Sequence, residues 1–205
     1  MYVNRESVWQ WLYTRSIQFL VIVFAAFMLL GIIGMFVEVF GDDEEPLPAD
    51  ANCFLDRAPT RDGEFWTRTK GRRAWVRRFS GLVDQALDGR EFPTRPIVMG
   101  VSYHESRWKR YAIGPIGEHG LMQIHPSRVR AMLRRGEHPL DPVANLRMGV
   151  STLATCRSEC GDDLGRTLHC YAAGECASPG PAARDLMRHV EVMQACSEGR
   201  ATEGG

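Results

Sequence analysis

The chain has no excess of charge of either sign. Its 205 residues carry 25 basic and 25 acidic side chains, so no net field surrounds the protein that would attract nucleic acid, and we expect no nucleic-acid partner. Its composition, 44% apolar and 24% charged, is that of an ordinary globular protein. The length allows one domain with an appendage.

The long apolar run of the chain, residues 17–37, lies near its N-terminus. It has no charged residue over 21 positions, and a helix of that length spans roughly 30 Å, the thickness of a bilayer core. A cleavable signal peptide has a shorter apolar region of about 7–15 residues. Although Ala49-Asp50-Ala51 resembles a cleavage site, we predict an uncleaved transmembrane anchor over residues 17–40.

The residues flanking this run predict its orientation. Arg5 and Arg15 precede it, whereas residues 42–45 are all acidic. The positive-inside rule therefore places residues 1–16 in the cytoplasm and the remainder of the chain outside it. An even number of cysteines, six, in an oxidising compartment favours disulfides.

The rest of the chain predicts a mainly α-helical domain. Residues 41–64 are rich in acidic residues and proline and are interpreted as a linker. The domain follows at residues 65–197, and residues 198–205 form a tail that we expect to be disordered. Apolar spacing and proline positions predict helices at 66–87, from about Pro93 to Glu105, and at 127–135, 143–156, 163–172 and 181–196.

Glu105 is the candidate catalytic residue. It lies at the end of the apolar pattern of the second of these helices, where burial would raise the pKa of its carboxyl and allow it to act as a general acid. A loop with several glycines follows, then the strand-like segment GLMQI. Gln123 is a polar residue in that apolar segment, which indicates that it faces a polar partner.

Residues 105–126, ESRWKRYAIGPIGEHGLMQIHP, resemble the active-site signature of the soluble lytic transglycosylase catalytic domains, which have a goose-type-lysozyme-like fold. Two further blocks occur in the order that the family shows: DPVANLRMGVSTL at 141–153 and HCYAAGECA at 169–177. The resemblance covers residues 93–190. It implies a lysozyme-like helical domain, preceded here by one transmembrane helix.

The resemblance also implies an activity: cleavage of the MurNAc–GlcNAc β-1,4 bond of peptidoglycan without water. Glu105 would act first as general acid and then as base, which closes a 1,6-anhydro ring with help from the N-acetyl group of the substrate. Ser106, Met122, Gln123, His125 and Tyr171 would bind the sugar. No cofactor or metal is expected. The implied location is the bacterial inner membrane with a periplasmic domain, and envelope-spanning machinery is a candidate partner.

The sequence departs from the family pattern at three positions. Gly114 replaces a common Ser, Glu118 replaces the usual Ala, and Ala172 replaces the Asn of the A-Y-N-A-G block. We expect Glu118 on the surface of its loop. If Glu118 instead positioned a water, the protein would be a hydrolysing muramidase. The loss of the Ser and Asn side chains at Gly114 and Ala172 leaves a further alternative, a non-catalytic wall-binding or scaffold module. We expect Asp141 and Asn145 to cap or cross-link helices.

Five of the six cysteines lie around the segment that carries Tyr171. A bridge between Cys156 and Cys160 is disfavoured if both lie on one helix, and the pairing is otherwise open among 15 possibilities. Disulfides here would brace the segment next to the site. A zinc site at His169, Cys170 and Cys176 is the alternative, but their spacing fits no familiar structural zinc motif.

Overall fold

Helices dominate the computed structural model, which describes residues 47–57 and 70–199, within a unit that spans Pro46–Gly205. The helices, in chain order, are α1 Ala49–Arg57, α2 Lys70–Leu87, α3 Arg95–Ser106, α4 Pro126–Arg134, α5 Pro142–Cys160, α6 Leu164–Ala173 and α7 Pro181–Ser197. The predicted mainly α fold is confirmed for this part of the chain. Its paired strand residues are limited to two isolated bridges, which join Ile113 to His119 and His119 to Ile124.

Helices α3 and α7 pack closely against each other, and Gly100 lies at their contact. A Cβ atom at Gly100 would lie 2.8 Å from the Cα of Val190, so the backbones of the two helices approach more closely there than any side chain allows. Val98, Val101 and Val190 are fully buried beside this crossing. The crossing fixes the direction of α3 and therefore the position of its last turn, which carries Glu105.

An aromatic cluster centred on Trp108 holds the end of α3. Trp108 is fully buried, and its ring centroid lies 5.1 Å from that of Tyr103, 5.4 Å from Phe79 and 5.6 Å from Phe54. Its indole N–H donates to the Met99 carbonyl at 3.0 Å. Rings at these separations attract one another beyond the area they bury, so the chain leaving α3 is held in one position.

Helix α1 lies within the stretch that the sequence predicted to be a linker. Its Phe54 is fully buried in the core, Cys53 is bonded to Cys196 of α7, and Asp50 pairs with Arg95 at the start of α3. Residues 49–57 are therefore a packed helix instead of a tether. Nine residues among acidic neighbours give a weak helix signal, because most of the stability of so short a helix comes from the surface it packs against.

The remaining helices begin and end close to their predicted bounds. Helix α5 continues to Cys160, beyond its predicted end at residue 156, and residues 66–69 of the first predicted helix lie outside the described part. Leu133 of α4 is 55% exposed although it is apolar. The GLMQI segment is a series of turns and not a strand, because Gln123 takes a left-handed conformation with φ of 43°.

None of the helices in the described residues is both long and apolar enough to cross a membrane. The predicted anchor at residues 17–40 and the predicted cytoplasmic residues 1–16 lie outside the described part, as do residues 200–205 of the predicted tail. The anchor and its orientation stay predictions.

Candidate active site

Glu105 occupies the last turn of α3 and lines a cavity of about 490 Å³. The helix starts after Thr94, with Pro96 in its first turn, and it stops because Arg107 adopts a left-handed conformation, with φ of 53°. The side chain of Glu105 is half-buried. The helix end thus holds a carboxyl at the wall of a cavity, where water has limited access.

The surroundings of Glu105 favour its protonated form. Burial raises the pKa of the carboxyl from its ordinary value of 4.5 to about 7, the negative charge of Glu118 adds to the rise, and the positive charge of Arg107 opposes it. Desolvation and a like charge both disfavour ionisation. A carboxyl in this state can donate a proton near neutral pH and accept one afterwards, which is what general acid–base chemistry requires.

Tyr171 on α6 faces the same cavity and is fixed by one strong hydrogen bond. Its hydroxyl donates to the carbonyl of Met122 at 2.6 Å. Burial, and then the charge of Glu105, raise the pKa of Tyr171, while Arg128 acts in the opposite direction. Both side chains line the same cavity, so the charge of Glu105 acts on this phenol. The phenol therefore stays neutral beside Glu105.

Asn145 of α5 fastens the loop between α3 and α4 to the rest of the domain. Its Oδ1 accepts from the backbone N–H of Met122 at 2.9 Å, and its Nδ2 donates to the carbonyls of His119 and Pro139, each at 2.8 Å. The side chain is buried, so these bonds are shielded from water. The prediction that Asn145 cross-links is confirmed, and so is that for Asp141, which caps α5 by accepting from Ala144 N–H at 2.8 Å.

The predicted sugar-binding residues fall into two groups. Gln123, His125 and Tyr171 line the cavity with Glu105. Ser106 and Met122 are buried and their side chains are absent from the lining. Ser106 Oγ lies 2.9 Å from the carbonyls of both Ser102 and Leu121, so it joins the end of α3 to the loop, and its role in sugar binding stays a prediction.

Gln123 and His125 are held in place by the loop itself. The amide of Gln123 donates to the carbonyl of Gly120 at 2.7 Å and to that of Ala112 at 3.3 Å. His125 caps α4, where its Nδ1 accepts from Ser127 N–H at 3.3 Å. Their own hydrogen bonds orient both groups before any ligand arrives, a property of preorganised sites.

Glu118 was expected on the outer surface of its loop, and that prediction is wrong. It is half-buried and lines the cavity with Glu105, while its Oε2 accepts from the backbone N–H of Ile116 at 3.1 Å. The direction of this side chain depends on a tight turn at residues 114–117, in which Gly117 N–H donates to the Gly114 carbonyl at 3.1 Å. The glycines indicated a turn but not the side of it on which Glu118 lies.

Arg128 and Thr152 line the cavity and were not predicted. Arg128 lies in the first turn of α4 and Thr152 in the middle of α5. Arg128 lies outside the three blocks that resemble the family, whereas Thr152 lies within the block at 141–153. The sequence does not show which side of a short helix such as α4 faces a site. Periodicity on α5, which places Leu146, Val150 and Leu153 in the core, leaves Thr152 on the flank where the cavity lies.

Three disulfides join the described cysteines. They pair Cys156 with Cys170, Cys160 with Cys176, and Cys53 with Cys196. The first two connect α5 to α6 and to the loop after it, which confirms the predicted brace next to Tyr171 and the exclusion of a bridge between residues 156 and 160. The sulfurs of residues 160, 170 and 176 lie within 4.8 Å of one another, but each is bonded in a disulfide and offers no thiolate. The zinc alternative is therefore wrong.

Comparison with known proteins finds a family match for part of the chain. Residues 85–180 match the Transglycosylase SLT domain family, which confirms the predicted resemblance for the helical domain. Two structures are distantly similar. The 70-kDa soluble lytic transglycosylase of Escherichia coli shares 22% identity over 72% of this chain, with a TM-score of 0.43. The complex of the 70-kDa soluble lytic transglycosylase with bulgecin A shares 20% over 70%, with a TM-score of 0.42. The chain spans 24% of the length of each. The comparison with curated proteins gave no match.

Proposed function

We propose that this Transglycosylase SLT domain is a lytic transglycosylase that cuts the MurNAc–GlcNAc β-1,4 bond of peptidoglycan and leaves 1,6-anhydro-MurNAc ends. The observation that carries the proposal is the state of Glu105. A half-buried carboxyl whose pKa is raised to about 7 lines a cavity of about 490 Å³ at the position where the family signature has its acid.

Glu105 performs both proton transfers. As the acid, it gives its proton to the glycosidic oxygen while the bond from that oxygen to C1 of MurNAc breaks, and GlcNAc leaves as an alcohol. As the base, the resulting carboxylate takes the proton of the C6 hydroxyl, whose oxygen bonds to C1. The carboxyl ends protonated, so one group with a pKa near the working pH serves both steps, and no water is consumed.

Tyr171, Gln123 and His125 position the sugar around this carboxyl. The Tyr171 hydroxyl already donates to Met122, so it keeps its lone pairs available to a sugar hydroxyl. This scheme requires no second carboxylate, unlike the mechanism of the glycosidases that use two.

The disulfides suit an extracytoplasmic location. Together with the predicted anchor, they support a single-pass protein of the inner membrane whose catalytic domain is periplasmic and acts on glycan strands close to the membrane. Envelope-spanning machinery is a candidate partner for such a protein.

A hydrolysing muramidase is the second candidate function. The observation that favours it is Glu118, a second carboxylate in the same cavity. Such a group could activate a water against C1, and the product would then carry a reducing end in place of the anhydro ring.

Digestion of purified sacculi tests these proposals. The full-length protein in detergent, its Glu105→Gln variant and an exposed control, Glu191→Gln, are compared by mass spectrometry of the released fragments. Anhydro products that disappear with Glu105→Gln and persist with Glu191→Gln support the transglycosylase. Hydrated products identify a muramidase. If the wild type releases nothing, both enzyme proposals fail, and a wall-binding module remains.

A further inference from the structure

We infer that Glu118 is a second functional carboxylate of this site, a positioning residue that keeps the proton on Glu105 until the substrate takes it, and that Gly114 is the position that makes room for it. The inference rests on the proposed function, because it concerns the acid of that reaction. It assigns a role to a side chain that the family signature lacks.

The loop turns Glu118 back towards the cavity and holds it there. The backbone N–H of Gly114 donates to the Glu118 carbonyl at 2.9 Å, and that of Gly117 donates to the Gly114 carbonyl at 3.1 Å. These bonds close a turn over which the side chain folds, and its Oε2 accepts from Ile116 N–H at 3.1 Å. The carboxylate is therefore fixed on the cavity wall that it shares with Glu105.

Gly114 is required for this placement. A Cβ atom at position 114 would lie 2.4 Å from Oε2 of Glu118 and 2.6 Å from Oε1 of Gln123, far inside van der Waals contact. A serine there would displace the carboxylate and disturb the amide. The two departures from the family pattern, glycine for serine and glutamate for alanine, therefore form one spatial feature. Glycine at position 114 leaves free the space that the Glu118 carboxylate occupies, and a serine side chain would fill that space.

The charge of Glu118 is not neutralised by a partner in the described part of the chain, where no ion pair includes it. Its charge faces Glu105 and raises the pKa of that carboxyl, and Arg107, beyond the end of α3, opposes it. His125, Arg128 and Tyr171 are the other titratable groups on the cavity wall. A substrate that takes the proton leaves Glu105 ionised beside Glu118, and the repulsion between the two carboxylates then favours the return of a proton to Glu105.

The substitution Glu118→Gln tests the charge and keeps the shape. The glutamine carbonyl can still accept from Ile116 N–H. If Glu118 only closed the turn, Glu118→Gln would therefore leave the titration of Glu105 unchanged. The Glu105 carboxyl is titrated by carbon NMR in the full-length protein, with Glu191→Gln as an exposed control. We expect the midpoint to fall by roughly 0.5–1 pH unit in Glu118→Gln and to stay unchanged in the control. An unchanged midpoint in Glu118→Gln overturns the inference.

This titration does not depend on glycan cleavage, so it separates the inference from the proposed function. If the wild type is active, the alkaline limb of its pH–rate profile shifts down by the same amount in Glu118→Gln. If the wild type is inactive, the proposed function fails and the titration alone decides the role of Glu118.

A second set of variants tests the pairing of the two positions. Gly114→Ser alone is expected to lower the unfolding midpoint and the activity, because its side chain collides with Glu118. Combining it with Glu118→Ala removes the collision with Glu118 and leaves only the contact with the Gln123 amide, so the double variant should be more stable than Gly114→Ser. If the double variant is no more stable than the single one, the two positions are not coupled and the role of Gly114 is refuted.

Discussion

Replacing Glu105 by glutamine should make the domain more stable at neutral pH. A carboxyl with a folded-state pKa of about 7 and an ordinary value of 4.5 binds its proton more tightly in the folded protein than in the unfolded one. Between these two values the unfolded state ionises while the folded state does not, so stability falls as the pH rises and levels off above the folded pKa. Each pKa unit corresponds to about 1.4 kcal/mol, which makes the loss at pH 8 about 3 kcal/mol.

Glutamine has nearly the same shape and does not titrate, so Glu105→Gln removes this loss. Proteins of residues 46–205, one with Glu105→Gln and one with the wild-type sequence, are titrated with urea at pH 4 and at pH 8. Their free energies of unfolding are then compared. Since all other titrating groups are common to both proteins, their contributions cancel in the difference. We expect little change at pH 4 and a gain of about 3 kcal/mol at pH 8.

The reasoning is refuted if Glu105→Gln changes the free energy of unfolding equally at both pH values, because the carboxyl would then titrate alike in the folded and unfolded states. Glu191→Gln, on the exposed side of α7, should alter stability by less than about 0.5 kcal/mol at either pH. A gain confined to high pH would mean that the site holds its acid at a cost in stability, a common trade-off in enzymes.

Three further predictions concern the scaffold. The double variant Cys53→Ser/Cys196→Ser opens a loop of 143 residues and should lower the free energy of unfolding by up to about 5 kcal/mol in the chain-entropy model; urea unfolding that matches the wild type would contradict this. Gly100→Ala should lower the free energy of unfolding by about 1–3 kcal/mol, because its methyl group overpacks against α7. The control Gly81→Ala, with no atom within 4 Å, should raise it by roughly 0.5–1 kcal/mol. Equal melting temperatures of the two variants would refute the close crossing. Tyr171→Phe should lose about 1 kcal/mol and reduce glycan cleavage at unchanged helix content; full activity would exclude the phenol from the site.

The helices with long apolar patterns could be predicted from the sequence to within a few residues. Periodicity and proline positions carried that information for α2 to α7, since a helix of three or more turns repeats its buried face several times. Helix α1 has no such repetition. Its place in the core depends on Phe54 meeting Trp108, and on Cys53 meeting Cys196, which are contacts between residues far apart in the chain that composition cannot reveal.

The place of Glu105 at the cavity could be predicted, but its surroundings only in part. Glu105 stands in an ordered motif of residue types, and the motif indicates the acid chemistry that we propose for it. The side chains of Ser106 and Met122 point into the core although they belong to the same motif, because the signature includes residues that build the loop as well as residues that bind sugar. The orientation of Glu118 depends on backbone turns, and the approach of Arg128 depends on the packing of α4.

The bond between Cys53 and Cys196 has a mechanical consequence. Tension applied between the chain before residue 53 and the chain after residue 196 passes through two sulfur atoms and bypasses the 142 residues between them. The aromatic cluster, the loop that carries Glu118 and the braced segment beside Tyr171 all lie inside this closed covalent ring. A pull on the two ends of the chain would therefore load this bond and leave the cavity in shape.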